Sequence, residues 1–197
     1  MQQPNASIAC GDASGPHINV TSPLPGITGL LEERLDTAEH IRDATHALLR
    51  GPSSMTEGER ELVATLVSSR NECRFCTNAH AYTAARYDGG MSLVQDVVRD
   101  HTAAPVSERM HALLHIAALV QSDARSVDDA AITRARDAGA TDLDIHDTVL
   151  TAAMFCFYNR YVDGLGSSYP SDESYFETLA DRLTTTGYMR KGLDGTH

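Results

Sequence analysis

The sequence predicts an all-α protein, and three observations predict it. Apolar residues recur at three- and four-residue spacing through most of the chain, the period of a helix with one buried face. No stretch alternates apolar and polar residues with the period of two that a half-buried strand needs. Helix starts and stops punctuate the chain at short intervals. Thr56 with Glu59, Ser107 and Thr141 read as starts, and Gly51-Pro52, Gly89-Gly90 and Gly139 as stops.

Taken in order, residues 1–26 hold four prolines (Pro4, Pro16, Pro23, Pro25) among small polar residues. They read as an extended N-terminal arm, either disordered or laid across a neighbouring subunit. A single helical domain is expected over 27–190, with a C-terminal tail at 191–197. Within it, Leu30, Leu31, Leu35, Ile41, Ala44 and Leu48 suit one helix over 28–49, stopped by Gly51-Pro52. The capping box Thr56/Glu59 opens the next helix, through Leu62, Val63, Leu66 and Val67. Asn71 is the expected N-cap of a third helix running to about Tyr87. Further helices are expected at 91–99, 107–122, 127–138, 142–163 and 172–186. A weak internal echo recurs at an offset of about 50 residues: Glu59-Arg60 with Glu108-Arg109, and Ala85-Arg86 with Ala135-Arg136. It reads as a duplicated helical unit of which only the first copy carries a cysteine pair.

Composition narrows the class of function. The 197 residues suffice for one well-buried core, and 42% apolar with 22% charged residues is ordinary for a soluble globular domain. No run approaches the length that spans a bilayer. The net charge of −11, from 27 acidic and 16 basic residues, argues against nucleic acid and anionic membrane as partners. Residues 1–9 lack both the basic and the apolar region of a secretory signal, so a cytoplasmic protein is expected. In that compartment a close cysteine pair reads as catalytic or metal-binding rather than as a structural staple.

That pair is Cys73-Arg74-Phe75-Cys76, followed by His80. At about 100° per residue, Cys76 lies about 60° from Cys73 and His80 about 20° from it, so a continuous helix would gather all three on one face. The histidine could then set the protonation of the thiols. If Asn71 caps this helix, Cys73 falls in its first turn, where free N–H groups and the dipole stabilise a thiolate, and Arg74 adds a positive charge. Cys76 lies one turn deeper, where Phe75 and the core could exclude water. Glu61, twelve residues before Cys73, adds a carboxylate one helix upstream.

Two readings stay open at this point. Cys73, Cys76, His80 and Glu61 could form a dithiol redox site or most of a zinc site. A structural zinc site wants a second ligand pair, and none is nearby. His111 and His115 lack the following Glu of a metalloprotease, and their apolar neighbours place them on a core helix. Haem attachment is excluded in its usual form, because Thr77 follows Cys76. Cys10 reads as incidental and Cys156, in the run Met154-Phe155-Cys156-Phe157, as core packing.

The pattern Glu61, Cys73-x-x-Cys76, His80 resembles the alkylhydroperoxidase AhpD-like group of the carboxymuconolactone decarboxylase superfamily, and within it the peroxidase-related proteins. Phe75 and the segment Tyr158-Asn159-Arg160-Tyr161-Val162-Asp163-Gly164-Leu165-Gly166 suit that group. The resemblance covers about residues 28–187. It implies an AhpD-like helical fold that assembles into a homo-oligomer, a trimer or hexamer. It also implies thiol peroxidase chemistry on a hydroperoxide, with no bound cofactor and no metal. Reducing equivalents would come from an external dithiol of lipoyl type, on a lipoylated or thioredoxin-like reductant protein. By resemblance Cys76 is peroxidatic, Cys73 resolving, and Glu61 and His80 relay protons. Helix-terminus electrostatics instead nominate Cys73 as the more acidic thiol, and the sequence leaves the two in tension. The rival from another class is a non-enzymatic redox switch or structural zinc protein using the same cysteines.

Overall fold

A computed structural model of the chain describes residues 15–189. Among these residues there are nine α-helices, one 3-10 turn and no strand. The helices are α1 (Gly26–Glu32), α2 (Leu35–Arg50), α3 (Glu57–Arg70), α4 (Arg74–Ala84), α5 (Gly90–Asp100), α6 (Glu108–Asp123), α7 (Asp129–Asp137), α8 (Asp142–Gly164) and α9 (Ser174–Thr186).

The expected helix over 28–49 is two helices, broken at Glu33 and Arg34. No Gly or Pro marks the break. Instead, Glu33 turns its carboxylate back to accept from the Thr21 N–H at 2.7 Å, the Thr21 hydroxyl at 2.9 Å and the Ser22 N–H at 3.2 Å. Arg34 then leaves the helical region at φ −140, ψ 74. A side-chain anchor for the arm replaces one turn of helix. The described part of the arm also pairs with this chain's own α8 end, through His17 N–H to Leu165 O and Gly26 N–H to Ser168 O, both 2.9 Å. Cys10 lies outside the described residues.

Three helices make the centre. α3 packs against α4, α6 and α8, and α6 packs against α8. Ten consecutive-or-near residues of α3 from Gly58 to Ser68 are buried, so this helix presents core on every side rather than on one stripe. It therefore buries Arg60, Glu61, Thr65 and Ser68 along with its leucines and valines. A buried polar group needs partners. Arg60 finds its own at the end of α2, donating to Leu48 O at 3.0 Å and Gly51 O at 2.9 Å.

Caps at Thr56, Ser107 and Thr141 form as their spacing predicts, each side chain accepting from the third helical N–H. The two echo dipeptides open α3 and α6, but their arginines act differently. Arg109 spans the helices to hold both Glu59 oxygens at 2.8 Å, whereas Arg60 caps α2. No helix among the described residues is long and apolar enough to cross a membrane.

Candidate active site

The cysteine helix starts two residues later than the sequence predicts. Asn71 is the C-cap of α3, and Cys73 is itself the N-cap of α4 at φ −77, ψ 94. The reason is a tight α3–α4 turn in which Cys73 N–H reaches Ser68 O at 3.1 Å and Glu72 N–H reaches Ser69 O at 3.0 Å. This is the paired-bond helix ending that usually places Gly in the left-handed position. Here Glu72 occupies it, at φ 59. Asn71 locks the turn onto α8: its amide donates to Asn159 Oδ1 at 2.8 Å, and its carbonyl oxygen accepts from Gln121 at 2.9 Å. Asn159 in turn donates to Ser68 at 3.2 Å, so the Tyr158–Gly166 segment braces the dithiol turn from behind.

The shift changes which sulfur the helix start serves. Cys73 lies outside the helix, so the one-face argument holds for Cys76 and His80 alone, four residues apart on α4. Cys76 sits in the first turn, where the backbone N–H groups stabilise negative charge. Arg74 points its guanidinium over the Tyr169 ring, 3.8 Å from its centroid.

The two thiols also differ in surroundings. Cys73 has no exposure and packs with Phe75, Val162 and Phe176. Contact with the Cys76 sulfur, burial and the nearby Asp163 carboxylate push the Cys73 thiol far above its ordinary range. Cys76 is 3% exposed and lines an apolar cleft of ≈ 930 Å³. The cleft runs between the arm, α1, α2, α4, α8 and α9, with Ile27, Phe155, Tyr175, Leu179 and Leu183 among its walls. Cys73 does not line it.

His80 shares the cleft wall with Cys76, and behind it lies a closed set of polar groups. Its Nδ1 is 2.7 Å from Glu61 Oε2. Glu61 has no exposure at all. Its other oxygen, Oε1, accepts from Arg50 Nη2 at 2.6 Å and from the Tyr188 hydroxyl at 2.6 Å. Burial pushes the Glu61 carboxyl up, but His80, Arg50 and the Tyr188 hydroxyl outweigh it and hold the group below its ordinary value. Arg50 is likewise opposed by burial and more than restored by Glu61. Glu61 thus takes up the Nδ1 edge of His80, whose ring also lines the cleft. The His80 and Phe155 rings pack perpendicular to each other, centroids 4.5 Å apart.

Glu61, Cys73, Cys76 and His80, the four residues named from sequence, thus converge on one site. Arg50 and Tyr188 were missed. Arg50 reads in sequence as a basic residue ending a helix before Gly51-Pro52, and Tyr188 as part of a loop after the last helix. Neither carries a local signal of its partner. His111 and His115 lie elsewhere, on α6, and line no part of the cleft. Cys156 is half-buried beside Asn71, whose amide approaches its sulfur at 3.5 Å. Among the described residues, no three of His, Cys, Asp and Glu are placed to hold a metal ion.

No family model matches the sequence, and no curated protein does either. Solved structures match it in fold. One is the alkylhydroperoxidase AhpD core of an uncharacterized peroxidase-related protein from Ralstonia eutropha JMP134. It is 25% identical, with a TM-score of 0.71, over 80% of this chain and 81% of that one. An uncharacterized peroxidase-related protein from Silicibacter sp. TM1040 is 23% identical, also at a TM-score of 0.71, over 78% of each chain. A protein of unknown function from Agrobacterium tumefaciens is 19% identical at a TM-score of 0.63, over 73% of this chain and 97% of that one. The fold of this chain is AhpD-like.

Proposed function

We infer from the AhpD-like character of this chain that it is a thiol-dependent peroxidase whose attacking group is Cys76. The observation that carries this reading is that Cys76, and not Cys73, opens on the cleft beside His80, which is backed by the buried Glu61.

In this reading His80 Nε2 takes the Cys76 proton, and Glu61 stabilises the imidazolium that results. The thiolate attacks one peroxide oxygen, the O–O bond breaks, and the departing alkoxide takes the proton back from His80. Cys76 becomes a sulfenic acid and the peroxide an alcohol. Cys73, in contact with Cys76, then displaces the sulfenic hydroxyl as water and closes a disulfide. Residues three apart at a helix start have Cα atoms about 5–6 Å apart, within reach of that bond. An external dithiol restores both thiols by exchange and is itself oxidised to a disulfide. A lipoyl-type dithiol on a lipoylated or thioredoxin-like protein suits that step, and a reducing cytoplasm would keep such a site in its dithiol form. The apolar walls of the cleft favour an organic hydroperoxide over hydrogen peroxide.

The test is peroxide consumption with dihydrolipoamide as reductant, run with cumene hydroperoxide and with hydrogen peroxide. Turnover is expected with the organic peroxide preferred, to vanish in Cys76→Ser, and to give way in Cys73→Ser to a single turnover that leaves a trappable sulfenic acid. Full activity in Cys76→Ser would overturn the assignment. A disulfide that forms with peroxide but never turns over would mark a redox switch instead.

A further inference from the structure

The polar set behind Cys76 has one member that belongs to no helix. Beyond α9, Gly187 turns the chain at φ +68, and the Tyr188 N–H donates to His46 Nδ1 at 3.3 Å. This seats the Tyr188 side chain across the ends of three other elements. Its hydroxyl donates to Glu61 Oε1 at 2.6 Å and stands 3.3 Å from His80 Nδ1. Its ring lies nearly parallel to the His80 ring, 13° apart with centroids at 6.0 Å, and takes the Arg50 guanidinium over its face at 5.0 Å.

Glu61 is wholly enclosed, so its oxygens depend on protein donors alone. Oε2 is occupied by His80, while Oε1 is shared between Arg50 and Tyr188. Two donors at one oxygen fix the plane of the carboxylate, and that plane decides where Nδ1 of His80 can sit. Phenylalanine at 188 would keep the ring between Arg50 and His80 and remove only the second donor. The contact joins residues 127 apart in sequence, so the chain after α9 completes the site.

We propose that Tyr188 is a positioning residue for the Cys76 thiol: its hydroxyl aligns the Glu61 carboxylate, and through it the His80 imidazole that lines the cleft with Cys76. The inference rests on the peroxidase reading for what the aligned thiol does, but the alignment itself is read at the thiol without peroxide. The charged and titratable groups around the hydroxyl are Arg50 and His46 from α2, Glu61 and Glu57 from α3, and His80 from α4. Tyr87 adds a hydroxyl bonded to Glu57 at 2.6 Å.

The sign of the pH effect follows from the Glu61 side of the contact. The Tyr188 hydroxyl is one of the groups that hold the Glu61 carboxyl down. Glu61 therefore stays ionised to lower pH with the hydroxyl than without it. Losing that donor moves protonation of Glu61, and with it the acid limb of Cys76 reactivity, to higher pH.

The experiment is the pH dependence of iodoacetamide alkylation at Cys76, located by peptide mass spectrometry, with a thermal melt as the control for folding. In Tyr188→Phe the acid limb is expected to rise by about one pH unit, and alkylation on that limb to slow about tenfold. Incorporating 3-fluorotyrosine at 188 keeps ring and hydroxyl, makes the hydroxyl a stronger donor, and should move the limb the other way. This second arm decides the matter if the phenylalanine variant does not fold. Tyr188→Ala should lose reactivity that added phenol, but not toluene, restores. An acid limb that stays in place in the folded variants, or toluene restoring as much as phenol, would overturn the inference and leave Tyr188 as packing. Wild-type protein without peroxide turnover would overturn the peroxidase reading, while the shift at the thiol would still decide the role of Tyr188.

Discussion

Two identical side chains three residues apart receive different environments, because Cys73 is the N-cap of α4 and Cys76 lies inside its first turn. Both belong to the apolar cluster with Val162 and Phe176, but Cys73 is wholly enclosed there while Cys76 also lines the cleft. The expectation that Cys73 gains the helix terminus depended on Asn71 as the cap. With Cys73 itself at the N-cap, the first-turn position belongs to Cys76, and the tension between helix electrostatics and the peroxidatic role assigned to Cys76 eases. The same scale shows what Glu61 costs to enclose. A buried carboxylate is tolerated where several donors surround it, and removing one partner of a buried ion pair strands the other. Arg50→Met keeps most of the side-chain volume and removes the charge. It should destabilise the protein by roughly 3 kcal/mol, read as the shift in urea midpoint at neutral pH. A loss below about 1 kcal/mol would mean that Tyr188 and His80 alone satisfy the carboxylate.

At the scale of elements, the turn between α3 and α4 sets the site. Its bonds from Cys73 and Glu72 back to Ser68 and Ser69 end one helix and begin the next within three residues. Glu72 pays for this with a left-handed backbone that costs a residue with a Cβ about 1 kcal/mol or more. Glu72→Gly should therefore stabilise the protein by about 0.5–1 kcal/mol, a rise in melting temperature of roughly 1–4 °C, with Cys76 alkylation unchanged. A lower melting temperature would show that the Glu72 side chain holds the turn through contacts of its own. Elements also show which signals are legible in sequence. The caps at Thr56, Ser107 and Thr141 are local pairs and were readable. The break after α1 was not, because Glu33 is drawn out of the helix by Thr21 and Ser22, twelve and eleven residues away.

Across the whole molecule, the cleft is a joint product of the arm, α1, α2, α4, α8 and α9. The outer face of α8 adds a second large-scale feature. Leu143, Leu150 and Phe157 are exposed at seven-residue intervals, so they form one apolar stripe along the helix. The trimer or hexamer expected from the family resemblance would have this stripe as a face to cover. Light scattering should find an oligomer in solution, and Phe157→Glu should lower its order without unfolding the protomer. A monomeric wild type would refute that assembly.

By itself the sequence determined the helical class, three of the helix starts and the pairing of Cys76 with His80. Each rests on periods and caps that act within about one helical turn. The motif also named Glu61, but its apolar neighbours could not say which way it points. Only the tertiary structure decided that Glu61 is enclosed, that Arg50 and Tyr188 hold it, and which thiol opens on the cleft. The physical reason is distance along the chain. Glu61 meets Arg50, His80 and Tyr188 across 11, 19 and 127 residues, and contacts of that kind are specified by how helices pack rather than by any local pattern.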